Sequence, residues 1–269
     1  MQKVVFIDID GTLVHGSEIV PESAIKACKI ARENGHKLYL CTGRSKTEIY
    51  DHILEVGFDG IIGAGGGYIE SDGEVVMHQH VDMDTLDYTL KFFNEHGIHH
   101  CVETNDGLYI SEGYREHLRG LMNYADDFDS HPFVKALRDG QSLMRNDVNK
   151  VCFMGNHELP FSKLSEMFES YYEVHQSTVA VFGETSGELA IKGVSKSNAI
   201  DVLLNHLNMS KEDTVSIGDG DNDIDMFEFT KLSIAMENAT PKLKDVSDWI
   251  TSSVGDDGLY NAFKYAKLI

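Results

Sequence analysis

Hydrophobic and polar positions along the chain fall into two rhythms. In the first stretch, short continuous apolar runs alternate with longer segments in which apolar residues recur every three or four positions. Val4, Val5, Phe6 and Ile7 form the opening run, of the kind that suits a strand buried on both faces of a parallel sheet. Pro21 to Asn34 reads as a helix: Pro21 suits the first turn, Ala24, Cys28 and Ala31 line a small apolar face, and Gly35 ends it. "HKLYLCTGR" predicts a second strand ending at Thr42-Gly43. Ser45 to Val56 predicts a second helix, with Ile49, Ile53, Leu54 and Val56 inward, and "DGIIGAGGG" predicts a third strand running into glycines. Such alternation predicts a parallel sheet with right-handed crossovers.

The rhythm changes near Val81. Asp84 to His96 reads as a helix, and "HHCVET" and "LYISEG" flank Asn105-Asp106-Gly107, a hairpin signal. "KVCFMG" reads as a strand, Phe161 to Ser170 as a helix, and "YEVHQSTVAVFGE" as a second strand pair. The first rhythm returns after "GELAIKGVSK": Lys196 to Leu207 reads as a helix, "DTVSIGDGDND" as a strand ending in acids, and "LSIAM" and "SDWIT" as short strands. The expected organisation is an α/β core from residues 1–81 and 188–269, with an α+β domain, 82–187, inserted into it.

Several core strands end in polar residues at their carboxyl ends, where open α/β sheets bind ligands. The first ends in Asp8-Ile9-Asp10-Gly11. On an extended backbone residues two apart point the same way, so two carboxylates would sit side by side there. A turn could use these residue types, but a cation between them also relieves their repulsion. Thr42 and Gly43 follow the second strand, and Asp219, Asp221, Asn222 and Asp223 follow a later one. Lys196 opens a helix, so its ammonium and the helix N-terminus can face the same pocket. Asp8, Asp10 and Asp219 are hard oxygen donors that suit Mg²⁺. Thr42, the Gly43 amide and Lys196 can hold a phosphoryl group. One carboxylate can attack phosphorus, and another can move the proton.

Composition narrows the partners. There are 23 Lys plus Arg against 44 Asp plus Glu, a formal charge of −21. Nucleic acid and anionic membranes would be repelled. A small phosphorylated substrate requires a local cationic pocket, because salt screens charge beyond roughly 8 Å. Apolar runs are too short to span a bilayer, and the N-terminus enters a strand without a signal peptide, so a cytoplasmic location is expected. Cys28, Cys41, Cys101 and Cys152 form no Cys-x-x-Cys pair and read as small hydrophobes. His78, His80, His99 and His100 lack a third ligand by spacing and read as surface residues.

"DIDGT", "TGR", "GVSK" and "GDGDND", in this order, resemble the four motifs of the haloacid dehalogenase superfamily. The insertion resembles the larger cap of its Cof-type sugar-phosphate phosphatases. The resemblance implies a Rossmann-like core with a cap that selects the substrate, and a Mg²⁺-dependent phosphatase acting through an aspartyl-phosphate. It further implies that Asp8 is the nucleophile. Asp10 would be the general acid/base and ligate Mg²⁺ through its backbone carbonyl. Asp219 would be the third protein ligand, and Asp223 would support the metal's waters. Thr42, Gly43 and Lys196 would hold phosphate, and Asn222 would bind phosphate or orient Lys196. Arg44 is open between pairing with an acid and meeting substrate.

Two departures and three rivals accompany this reading. The Gly63 to Gly67 run replaces the family's Asn-Gly and is either a flexible loop or tight backbone packing. Glu237 stands where the family has glycine, adding negative charge near the expected rim. An EF-hand starting at Asp219 fails, with Ile224 at position six and Thr230 at position twelve. A phosphomutase and a catalytically silent phosphate-binding scaffold remain as alternatives. The substrate candidates are sugar phosphates, pyridoxal phosphate and flavin mononucleotide.

Overall fold

In the computed structural model, which describes residues 2–16, 18–123, 127–177 and 179–269, the chain divides into two units. One gathers residues 1–44, 49–78 and 194–269; the other gathers 45–48 and 79–193.

The first unit is built on an eight-stranded sheet. Its order is Trp249–Ile250, Leu232–Ala235, Thr214–Gly218, Val4–Ile7, Lys37–Cys41, Gly60–Gly63, Tyr68–Ser71, Glu74–His78. The first six strands are parallel and the last two antiparallel. The continuous apolar run at the N-terminus explains its central place, since both of its faces are covered. Val5 and Ile7 pack with the helices Glu22–Glu33 and Gly258–Tyr265, through Ala24, Ala27, Ala262 and Phe263. Val4 and Phe6 pack with the helices Lys196–Leu207 and Ile224–Phe229, through Ala199, Ile200, Leu203 and Met226. From the Val4–Ile7 strand the chain builds first to one side, then returns to build on the other beside Thr214–Gly218. The strand order therefore reverses between these two strands, and a crevice opens at their carboxyl ends.

The second unit holds a six-stranded sheet in the order Glu173–Gln176, Ser186–Ala190, Lys150–Met154, His99–Glu103, Leu108–Ile110, Leu137–Arg138. All neighbours are antiparallel except the last pair. The helices Met83–Glu95 and Phe161–Phe168 bury Leu86, Leu90, Phe93, Leu164 and Phe168 with Val102, Val151, Phe153 and Leu189 of the sheet. The molecule is thus α/β with a parallel-sheet core and an inserted α+β domain. No helix among the described residues is long and apolar enough to cross a membrane.

Three local expectations are corrected. The segment Ser45 to Val56 forms only the short turns Lys46–Glu48 and Asp51–Leu54 rather than one helix. In "YEVHQSTVAVFGE" the partner of Glu173–Gln176 is Ser186–Ala190, and Ala180–Phe182 is a 3-10 turn; Thr178 lies outside the described residues. His100 is buried, one ring nitrogen 2.8 Å from the Ile98 carbonyl oxygen, so it is a core residue rather than a surface one.

Candidate active site

The strand Val4–Ile7 stops before the aspartates. Backbone amides of Thr12, Leu13 and Val14 all turn back to the Ile9 carbonyl, so the extended-chain rule does not reach Asp10. The two carboxylates therefore part company rather than sitting side by side. Asp8 keeps the parity of Val4 and Phe6 and enters the face covered by the Lys196–Leu207 helix. Its carboxylate is buried, with Oδ1 2.8 Å from Lys196 Nζ. Asp10 is exposed and meets Arg44, which donates from Nε to Oδ2 at 2.9 Å and from Nη2 to Oδ1 at 2.5 Å.

Lys196 is the first residue of its helix, capped by Ser195, whose hydroxyl accepts the Asn198 amide at 3.2 Å. Its buried ammonium also donates to Asp223 Oδ1 at 2.5 Å. Asp223 Oδ2 accepts the backbone amides of Asp219 and Gly220, each at 3.1 Å. That bond pattern folds the end of the Thr214–Gly218 strand into a tight turn and holds Asp219 forward. Asp219 Oδ1 accepts from the Thr12 hydroxyl at 3.2 Å, and Oδ2 from the Asn238 amide at 3.1 Å. Gly11 completes the packing: at φ +82, a Cβ there would run into the Asp219 carboxylate.

Carboxylate oxygens of Asp8, Asp219 and Asp223 lie within 4.8 Å of one another. Three carboxylates face one ammonium, leaving an excess of negative charge. Burial, only partly offset by Lys196, pushes the Asp8 carboxyl up to about 8. Burial and the neighbouring Asp223 push Asp219 up to about 6. Burial works against the Lys196 charge, but Asp223 and Asp8 outweigh it and hold its pKa well above the usual lysine range. Convergent oxygen donors with displaced protonation fit a hard divalent cation, which would take the place of the proton.

Thr42 is buried and its Oγ1 accepts the Arg44 amide at 3.1 Å. Gly43 faces open space. The glycine run is tight packing. Ala64 and Gly65 donate their amides to the carbonyls of Arg44 and Thr42, at 2.8 and 3.0 Å. Gly66, at φ +112, lies where a Cβ would collide with the Ser195 carbonyl. The run thus braces the Thr42 loop and the start of the Lys196 helix together. Asn222 is exposed on the turn Asp221–Asp223, its Oδ1 against Gly220. Asp221 serves the surface, accepting from Thr240 Oγ1 at 2.6 Å and Lys242 Nζ at 2.9 Å. Glu237 is exposed, with its carbonyl accepting from Lys244.

Sequence reasoning gave no role to Thr12 or Asn238. Thr12 lay inside the quoted "DIDGT", and Asn238 inside "MENA", beside the departure at Glu237. Both donate to Asp219, which leaves that carboxylate oriented.

A family model described as haloacid dehalogenase-like hydrolase matches residues 5–263. The chain is 28% identical over 276 residues to an Arabidopsis thaliana protein named Endoribonuclease YBEY, chloroplastic, covering 97% of this chain but 46% of that one. It is 25% identical to the Bacillus subtilis (strain 168) 5-amino-6-(5-phospho-D-ribitylamino)uracil phosphatase YwtE, covering 96% of this chain and 95% of that one. Among solved structures it resembles a sugar phosphatase of HAD subclass IIB with a TM-score of 0.77, at 23% identity over 99% of this chain and 100% of that one. The chain belongs to the haloacid dehalogenase-like hydrolase family, and it is an enzyme of that family's phosphatase type.

Proposed function

We propose that the enzyme hydrolyses a small phosphorylated metabolite, of the size of a sugar phosphate, pyridoxal phosphate or flavin mononucleotide, through an aspartyl-phosphate on Asp8 and with Mg²⁺ as cofactor. The observation that carries this reading is a buried carboxylate, Asp8, bonded to a buried lysine and converging with Asp219 and Asp223. The name of YwtE supports a phosphate ester of a small molecule as the substrate class.

Asp8 attacks phosphorus, and the bond from phosphorus to the ester oxygen breaks. Asp10 gives that oxygen its proton. Asp10 then takes a proton from water as the water attacks phosphorus, and the bond to Asp8 breaks, releasing inorganic phosphate. Lys196, the Thr42 hydroxyl and the Gly43 amide supply donors for phosphoryl oxygens, with Asn222 as a further donor from the rim. Asp8 and Asp219, the Asp10 carbonyl and the supporting Asp223 would hold Mg²⁺, which when bound neutralises charge developing on the phosphoryl group. The insert, 82–187, chooses the substrate, and exchanging it for that of a relative should re-rank esters while keeping dependence on Asp8.

A screen of phosphorylated metabolites with Mg²⁺, reading free phosphate, tests the reading. At least one small ester should turn over and release one phosphate per alcohol. Transfer to a second hydroxyl without free phosphate would show a mutase. No turnover of any ester by a metal-loaded preparation would overturn the reading.

A further inference from the structure

We propose that Arg44 is a positioning residue for Asp10: it grips both oxygens of the exposed carboxylate and is itself anchored by Glu18. This rests on the reading of Asp10 as the acid/base group. Asp10 stands beyond the end of its strand with its side chain 61% exposed, whereas the Arg44 side chain is 12% exposed. The exposed partner is thus held by the less exposed one. Nη2 of Arg44 donates to Asp10 Oδ1 at 2.5 Å and to Glu18 Oε1 at 2.8 Å, while Nε takes Asp10 Oδ2 at 2.9 Å. The two-point grip fixes the plane of the carboxylate as well as its place.

Arg44 is braced in turn. Its amide donates to Thr42 Oγ1, its carbonyl accepts from Ala64, and its guanidinium carbon lies 5.5 Å from the Tyr50 ring centroid. Glu18 adopts a left-handed backbone, φ +59, and its carbonyl oxygen is 2.7 Å from a His52 ring nitrogen. Non-glycine residues adopt that conformation only when the surroundings enforce it. A lysine at position 44 would keep the charge but lose the fork. Proton transfer to a leaving oxygen depends on orientation, so the grip should matter most when the leaving group requires a proton.

The test compares an alkyl phosphate ester found by the screen with p-nitrophenyl phosphate, whose leaving anion requires no proton. The readout is the ratio of kcat/KM on the alkyl ester to that on the aryl ester. Asp10→Asn should lower this ratio by about 100-fold or more, as for a lost general acid. Arg44→Ala and Arg44→Lys should each lower it by roughly 10-fold, and Glu18→Gln by about 3-fold, as partial losses of the same effect. In an Asp10→Asn background, Arg44→Ala should leave the ratio where it is. Arg44→Lys preserves the buried positive charge and serves where Arg44→Ala fails to fold. Equal losses on both esters in the Arg44 variants, or a further fall of the ratio in the Asp10→Asn background, would overturn the positioning role while leaving Asp10 as the acid. A ratio unmoved by Asp10→Asn would remove the acid/base reading, and the role of Arg44 with it.

Discussion

Each unit of the molecule sets a lysine among carboxylates, with the Lys196 side chain 2% exposed and that of Lys150 11% exposed. In the first unit Lys196 meets Asp8 and Asp223, with Asp219 close by. In the second, Lys150 meets Glu103 at 3.4 Å and Glu188 at 2.9 Å, with Glu48 close by. The charge count is the same, three acids to one ammonium. The surroundings differ. The Glu103 carboxylate is filled with donors: Cys152 Sγ at 3.0 Å and Ser45 Oγ at 3.0 Å. Burial, and next the Glu103 charge, push Glu48 well above the usual carboxylate range, so a proton absorbs the excess. Glu103, Lys150 and Glu188 sit on the face of three neighbouring strands, whereas Asp8 and Asp219 stand just past strand ends. Buried charge is common to both clusters, whereas among the described residues only the first has carboxylate acceptors converging within 4.8 Å of one another.

The sharpest way to break the comparison is Asp8→Asn, which should abolish turnover while the protein stays folded. An amide is a far weaker nucleophile, and a clean preparation with near-normal phosphate release would refute the assignment. Chelation of divalent metal should also abolish activity, with Mg²⁺ restoring it and Ca²⁺ restoring it poorly, because Ca²⁺ is larger and takes more ligands. Full turnover in excess chelator would exclude metal assistance. Lys196→Ala should lower kcat by about 100-fold or more, the scale of a lost transition-state donor.

Lys150→Met should do the opposite of Lys196→Ala. Removing one partner of a buried ion pair costs about 3–5 kcal/mol, read as a melting temperature lower by roughly 10 °C in a domain of this size. Activity per folded molecule should stay within about 2-fold, the scatter of a residue with no part in transition-state binding. A Lys150→Met enzyme as slow as Lys196→Ala would erase the distinction between the clusters.

The last expected effect, spread over several pH units, is on pH dependence without metal. Asp8 is raised from its ordinary 3.8 to about 8, so between those values the folded state holds a proton that the unfolded chain has lost. That stabilises the fold below about pH 4 and fades as pH rises toward 8. Melting of the chelated wild type should therefore fall relative to Asp8→Asn over this range, by a few °C for each ~1 kcal/mol. Mg²⁺ should cancel the difference. Parallel melting curves would show that Asp8 is ionised throughout.

Legibility in the sequence followed how local each cause was. The Lys196–Leu207 helix was readable because its cap, apolar face and end lie within its own residues. Val4–Ile7 was readable because burial on both faces leaves an unbroken apolar run. Ser45 to Val56 misled because Tyr50 takes an extended backbone, φ −71 and ψ 154, between Lys46–Glu48 and Asp51–Leu54, which the apolar periodicity does not reveal. Val179 and Val181 alternate like a strand but are exposed, so nothing rewards the pattern with burial. In the site, the acids and Lys196 were legible as motif residues. The separation of Asp8 from Asp10 was not, because it depends on where the strand stops and on Arg44 arriving from the next strand's end.

The stereochemical course at phosphorus is the most direct test of Asp8 as a covalent nucleophile. A phosphorothioate ester made chiral at phosphorus by two oxygen isotopes would be hydrolysed in water carrying the third, and the configuration of the released inorganic thiophosphate determined. Two in-line displacements, first by Asp8 and then by water, predict overall retention. Inversion would mean that water attacks the ester directly, and would contradict the aspartyl-phosphate.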